Sequence, residues 1–465
     1  MSEQGDKKAR LMARSQQQPL IYFHSLELEN VRCFGERQVL QLTDDQGRLA
    51  QWTLLLGDNG VGKTTLLQCL AWMRPKEGGQ PNTIVPALTN EENAVLNSLL
   101  RVGPEVTLEL KATLSMNQAL GVAKRKIRAI ETRIRLVGKQ GELQDMPPPE
   151  SPLGKHPKLD LLNLPIFAYG AARRMGVANL DRSDLADPLA SLFSTATELY
   201  DAEEILLQLD YLAARRGGSY EERLDKVKQV LAAILPDVAS AEGIRILGPK
   251  VPGKPEVPSG VRFVTPYGTV PLTALSLVYQ TTIAWTTDLA LRLYDRYPDS
   301  PDPLDEPAIV LIDEIDLHLY PHWQLQLIGD LTPHFPKVQF IATAHSPLMV
   351  QATTDANLAV LQQKDDQVVI ENEPYFVKNW RVDQILTSDL FGLASARNPR
   401  IEGLITERNT LLDKRKRTPK DEKRLRELEH ELDDMPIAER RADQEAMDFI
   451  RQAAALLKRQ ELRKR

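Results

Sequence analysis

A glycine-rich loop set between an apolar strand and a helix constrains this chain more than any other feature. Trp52 to Leu56 is apolar apart from Thr53 and reads as a buried strand; Gly57-Asp58-Asn59-Gly60-Val61-Gly62-Lys63-Thr64 follows, and Thr65 to Leu70 reads as a helix. Such a loop turns backbone N–H groups inward around phosphate oxygens, and the helix N-terminus behind it favours negative charge. Lys63 adds a point charge for the β- and γ-phosphates, and the Thr64 hydroxyl suits Mg²⁺. The strand–loop–helix context separates the motif from a chance glycine-rich turn. Asn59, Gly60, Val61, Gly62, Lys63, Thr64 and Thr65 are the expected nucleotide-binding residues.

Ala308 to Ile312 is an uninterrupted apolar run, the pattern of a parallel strand covered on both faces, and it ends in Asp313 and Glu314. Ligands bind at the carboxyl ends of such strands. Asp313 is expected to hold Mg²⁺, directly or through water, and Glu314 to polarise an attacking water as general base. A third apolar run, Phe340 to Ala344, leads into His345 thirty-two residues after Asp313, with a helix expected between them from Pro321 to Leu331. A crossover of that length places the two runs on neighbouring strands. His345 is then expected to sense the γ-phosphate. Taken singly, an acidic turn or a histidine after a strand is ordinary; the glycine-rich loop gives them a shared role.

Lys63 and Asp313 stand 250 residues apart, a longer gap than compact NTPases carry. A long insertion between these motifs is the arrangement of ABC-type ATPase heads of the SMC, RecF and OLD kind, which this chain resembles. Leu26 to Phe34 is similar to their opening strand. Gly57 to Thr65, Asp313 to Pro321 and Thr343 to Pro347 match their Walker A, Walker B with D-loop, and switch-histidine motifs. Tyr169-Gly170-Ala171-Ala172-Arg173-Arg174 also recurs in the bacterial branch that includes stand-alone ATPases of anti-phage defence. Within it, the chain resembles the Septu ATPase subunit, which works beside a separate HNH nuclease.

The resemblance runs from Leu20 to Gly392. It implies an α/β P-loop NTPase with an ABC-type head: a mixed sheet flanked by helices, an inserted helical lobe and a C-terminal helical module. It further implies ATP and Mg²⁺ as ligands, hydrolysis to ADP and phosphate, assembly as a homodimer or higher homo-oligomer, and nucleotide contacts for Arg32 and, across a dimer, for Ser276. Two features depart from the pattern. The signature loop of this branch reads approximately Leu-Ser-Asp-Gly-Tyr-Arg, whereas Leu275-Ser276-Leu277-Val278-Tyr279-Gln280 stands here. No Q-loop glutamine follows the expected strand Pro165 to Tyr169; a turn leads instead to Arg173 and Arg174, which either touch phosphate or line a solvated helix start.

The chain has 465 residues, 42% of them hydrophobic, which allows one large α/β domain with appended helical pieces. A net charge of −6 excludes a globally basic surface, so any DNA contact has to be local. The basic cluster from Lys124 to Arg135 reads either as such a contact or as a solvated edge. Two cysteines, Cys33 and Cys69, suggest a reducing compartment. No apolar segment approaches membrane-span length and the N-terminus lacks a signal-like core, so a cytoplasmic protein with no membrane partner is expected.

Residues 1–19 read as a disordered lead-in, 20–392 as the head with a helical insertion at about 195–247, and 393–465 as a charged helical module. Gly217-Gly218-Ser219 splits the insertion into a helical pair too short for SMC-type coiled-coil arms. In the module, Arg408 to Arg417, Thr418 to Leu432 and Ala446 to Leu457 read as helices, with Thr418 as N-cap ahead of Pro419. Leu425, Leu428 and Leu432 form a narrow stripe suited to a partner helix. The expected function is an ATP-driven switch that controls a DNA-processing or nuclease partner in anti-phage defence, with DNA as a further ligand. The alternatives are a RecF-like repair ATPase, an OLD-like nuclease and an ATP-binding scaffold that barely turns over. The nuclease reading lacks a strand ending in Glu-Gly and a following Asp-x-Asp pair after His345.

Overall fold

The computed structural model describes residues 20–44, 46–77, 83–86, 99, 101, 105–123, 128–139, 142–144, 151–152, 164–176, 187–248, 260–352, 356–372, 380–388, 391–393, 395–414 and 416–432. Residues 1–19 and the expected helix at 446–457 lie outside them.

Six strands form the central sheet, in the order Ile166–Tyr169, Ala308–Ile312, Val338–Thr343, Trp52–Gly57, Asn357–Lys364 and Gln367–Asn372. They are called here, in turn, the tyrosine, acidic, histidine and P-loop strands and the edge hairpin. Every neighbouring pair is parallel except the antiparallel hairpin. Parallel strands buried on both faces need apolar side chains at odd and even positions alike, and the two sets part into two cores. Leu55, Ile309, Leu311 and Ile341 face one core, while Leu54, Leu56, Val310, Ile312, Phe340 and Ala342 face the other. Each large side chain so buried contributes about 1.5–3 kcal/mol relative to exposure.

The first core is closed by the P-loop helix, Lys63–Trp72, and by an antiparallel sheet in the order Gln38–Gln41, Ile21–Glu29, Glu105–Met116, Arg128–Lys139, Glu142–Gln144. Gln339 on the histidine strand ties this sheet to the central one, accepting from the Phe23 N–H at 2.9 Å and donating to its carbonyl at 2.8 Å. On the outer face, Glu27, Lys111 and Arg133 stand abreast. Lys111 pairs with Glu27 at 3.3 Å and Glu131 at 3.1 Å, and Arg133 pairs with Glu131 at 2.8 Å. The described part of the basic cluster is therefore a strand with acids beside it, which favours the solvated-edge reading; Lys124 to Ile127 lie outside the described residues.

The second core is closed by helices Ala202–Arg216, Ser219–Ile234, Leu277–Arg296 and Pro321–Leu331. Asp201 caps the first of these by accepting from the Glu203 N–H at 2.8 Å. Gly217 and Gly218, at φ 61° and 58°, make the break between the pair, a conformation that favours glycine. Strands Ile244–Leu247, Gly260–Thr265 and Gly268–Pro271 form a small antiparallel sheet just ahead of the signature segment. The helix after that segment starts at Leu277, with Ser276 as its N-cap residue.

Residues Met1–Phe391 form one compact unit and Gly392–Arg465 a second. In the second, helix Pro399–Leu412 begins nine residues before the expected position. Asn398 caps it, accepting from the Arg400 N–H at 2.9 Å, and Pro399 occupies the first helical position. Helix Pro419–Leu432 follows. Its leucine stripe is not open to a partner: Leu425 and Leu428 pack against Leu404 and Leu411, and Leu432 is also buried. A stripe that narrow is satisfied by one neighbouring helix, and the preceding helix supplies it. Among the described residues no helix is long and apolar enough to cross a membrane.

Candidate nucleotide-binding site

Three glycines shape the loop between the P-loop strand and its helix: Gly57, Gly60 and Gly62 have φ of 140°, 81° and 89°. A Cβ at Gly57 would stand 2.4 Å from the Leu361 carbonyl oxygen, and one at Gly62 would stand 2.6 Å from Cys33 Sγ. Only glycine meets both demands. Lys63 opens the helix and folds back over the loop, its Nζ donating to the carbonyl oxygens of Gly57 at 2.7 Å and Asp58 at 2.8 Å. Burial pulls the Lys63 ammonium below its ordinary pKa, while Asp313 and Glu314 act in the opposite direction. The positive charge is thus held in a partly desolvated place with acids at hand.

The acidic and histidine strands are direct neighbours, and the histidine strand lies next to the P-loop strand. Their carboxyl ends therefore open at the same edge. Asp313 accepts from Thr64 Oγ1 at 2.9 Å through one oxygen and from Thr343 Oγ1 at 2.7 Å through the other. Thr343 Oγ1 in turn accepts from the Glu314 N–H at 2.6 Å. Glu314 has φ 49°, a left-handed conformation unusual for a side chain with a Cβ. Asp316 accepts from the N–H groups of His345 at 2.9 Å and Ser346 at 2.6 Å, which ties the loop after the acids to the loop after the histidine strand.

One cavity of about 330 Å³ is lined by Arg32, Cys33, Asn59, Gly60, Gly62, Lys63, Thr64, Thr65, Asp313, Glu314 and His345. Of the sequence-derived candidates, Val61 is buried in the core behind the loop, and Ser276 is not among the lining residues. Arg32 reaches Thr65 Oγ1 at 3.1 Å and Gln68 Oε1 at 3.5 Å. Cys33 Sγ donates to the Val61 carbonyl at 3.5 Å, and burial raises its thiol pKa. Cys69 is buried in the core, with its thiol raised to about 12 by burial.

Sequence reasoning left Arg173 open between phosphate and solvent, and it has neither place. Arg173 is buried, donating to the carbonyl oxygens of Asp313 and of Glu314, the latter at 2.8 Å, whereas Arg174 is exposed. Burial lowers the Arg173 pKa to about 10, with Asp313, Glu314 and Asp316 opposing that shift. Thr343, Asp316 and Cys33 were given no role of their own in the sequence reading, although the matched stretches Thr343 to Pro347, Asp313 to Pro321 and Leu26 to Phe34 contain them, as the tyrosine–glycine–arginine motif contains Arg173.

The donor set suits a magnesium-bound nucleotide. Among the described residues no group of three or more His, Cys, Asp and Glu side chains is placed to hold a metal alone. A magnesium between Thr64 and Asp313 would take one carboxylate and one hydroxyl, and Mg²⁺ ordinarily completes such sets with water and phosphate oxygens. Bound there, it would neutralise charge on phosphate oxygens.

Residues 25–83 match the family model of an AAA domain. The Septu protein PtuA of Bacillus mycoides is 27% identical over 80% of this chain and 45% of its own length. A Vibrio cholerae protein named "Retron Vc95 probable ATPase" is 42% identical over 20% of this chain and 18% of its own length. The chain thus spans less than half the length of these curated relatives. Among solved structures, an SMC head bound to the C-winged helix domain of ScpA is similar with a TM-score of 0.40 and 15% identity, over 76% of this chain and 97% of that one.

Proposed function

We propose that this chain, an α/β protein whose residues 25–83 match an AAA domain and which is similar in sequence to a Septu protein PtuA and to a retron probable ATPase, is an ATP-hydrolysing switch of anti-phage defence with an ABC-type head. The observation that carries this reading is the shared cavity: Lys63, Thr64, Asp313, Glu314 and His345 line one space of about 330 Å³ although they come from three separate stretches of chain. A triphosphate there offers Lys63 anionic oxygens in place of the carbonyls it now bonds. The loop amides at the helix N-terminus face negative charge, as helix N-termini favour. Glu314 accepts a proton from the attacking water, and His345 reads the γ-phosphate. Positioning and electrostatic stabilisation supply most of the acceleration in phosphoryl transfer.

The switch acts by bringing two copies together, with Ser276 at the start of helix Leu277–Arg296 approaching the partner's nucleotide. A separate nuclease or other DNA-processing protein is the effector, in a cytoplasmic setting. ATP turnover by the full chain, with and without duplex DNA, tests the hydrolytic core of the reading. Lys63→Ala is expected to lose nucleotide binding. Glu314→Gln is expected to keep binding and lose about 10²–10⁴ of its turnover, the usual share of a general base. Undiminished turnover in Glu314→Gln refutes the assignment, and metal-dependent DNA cleavage by the purified chain moves the function to an OLD-like nuclease.

A further inference from the structure

Arg173 is a fully enclosed cation at the back of the nucleotide site. It is 4% exposed and does not line the cavity, yet its two terminal nitrogens donate to the carbonyl oxygens of Asp313 and Glu314. Both Arg173, at φ 24°, and Glu314, at φ 49°, occupy the left-handed region. Non-glycine residues stay there only when their surroundings over-determine them. The Glu314 backbone is pinned from two sides, since its N–H donates to Thr343 Oγ1 at 2.6 Å while its carbonyl accepts from Arg173. A guanidinium fork spans two adjacent carbonyls, which the single ammonium of a lysine does not. Burying that charge is costly unless it is paired and hydrogen-bonded, and the neighbouring Asp313, Glu314 and Asp316 supply the opposite sign.

We propose that Arg173 is a positioning residue for ATP hydrolysis: by holding the Asp313 and Glu314 carbonyls it fixes the kinked backbone that aims the Glu314 carboxylate at the attacking water. It does this without touching the nucleotide. The role rests on the ATPase reading above. It also accounts for a cation in the turn where the related heads carry a glutamine loop.

The test separates binding from chemistry in the full chain, using N-methylanthraniloyl-ATP with Mg²⁺ for affinity and phosphate release for turnover. Arg173→Gln is expected to keep the nucleotide Kd within about threefold and to lower kcat by about 100-fold, the effect of a small misplacement of a catalytic group. Arg173→Lys, which keeps the charge and one of the two bonds, is expected to fall by about tenfold. Amide exchange over residues 313–316 is expected to rise in both. If Arg173→Gln fails to melt cooperatively, Arg173→Lys decides. Unchanged turnover in a folded variant overturns the role, and so does a Kd that rises in step with the loss of turnover. Wild-type protein that binds the nucleotide without releasing phosphate overturns the ATPase reading itself, and this role with it.

Discussion

Gly62 and Gly60 are two residues apart, have similar φ angles and face different surroundings. A Cβ at Gly62 would meet Cys33 Sγ at 2.6 Å and Phe34 Cε2 at 2.9 Å, whereas one at Gly60 would meet nothing within 4 Å. Gly62→Ala is therefore expected to combine left-handed strain with overpacking and to destabilise the head by about 1–3 kcal/mol. Gly60→Ala is expected to carry the conformational part alone, about 1 kcal/mol. Denaturant midpoints for the two variants check this, and equal midpoints would mean that the wall formed by Cys33 and Phe34 yields freely. The loop, the two acids and the histidine were readable in the sequence because each motif is local and its flanks declare its setting. The bonds made by Thr343 and Asp316 were not readable, although both residues lie in matched motifs. Their partners lie 30 residues away at Asp313 and 29 residues away at His345, and nothing in a threonine or an aspartate announces such a partner. The motif around Arg173 was visible, but its target, 140 residues on, was not.

Helix Leu277–Arg296 is fastened to the tyrosine strand by a buried polar link. Asp288 is fully buried, accepts from Tyr169 Oη at 2.8 Å and pairs with Arg292 Nε at 2.7 Å. The strand it grips leads directly to the turn that carries Arg173, so this helix and the acidic strand are held by successive stretches of one segment. Removing one partner of a buried pair leaves an uncompensated charge, and Arg292→Met is expected to destabilise the head by about 3–5 kcal/mol. Tyr169→Phe removes one hydrogen bond to the same carboxylate and is expected to cost about 1–3 kcal/mol. Urea unfolding followed by circular dichroism measures both, and a stable Arg292→Met variant would show that the pair does not hold the helix to the strand. Elements of this kind were legible where apolar runs or helical periodicity were strong: the three central strands and the helical pair broken at Gly217. Strand order and helix starts were less so. The helix after Ser276 begins with Leu277 and Val278, a solvent-facing and a partly buried residue, so its first turn carries no clean periodic signal. The leucine stripe of Pro419–Leu432 was seen, but pattern alone does not say whether its partner lies in the same chain.

At the scale of the whole molecule the proposed switch requires a surface that a second copy can cover. The segment that would reach a partner's nucleotide begins at Ser276, and Leu277 beside it is 65% exposed. Tyr320, just beyond the acidic turn, is 78% exposed. Both are large apolar side chains flanking motifs that the proposed switch uses, and aromatic and aliphatic anchors of this type dominate binding energy when an interface buries them. Val278 takes the place of the glycine that lets a backbone approach phosphate closely, so side-chain contacts are left with more of the association. Glu314→Gln protein with ATP and Mg²⁺ is accordingly expected to sediment as a dimer at concentrations where the nucleotide-free chain is a monomer. Leu277→Glu and Tyr320→Arg each place a charge at that surface and are expected to weaken the dimer by about 30-fold or more, the effect of losing one anchor worth about 2 kcal/mol. Neither residue lines the nucleotide cavity, so binding of N-methylanthraniloyl-ATP by the monomer is expected to stay unchanged in both variants. Sedimentation velocity across a concentration series reads the association directly. A mass that is the same with and without nucleotide, or a dimer indifferent to both substitutions, would place the coupling between ATP and the effector on some other surface.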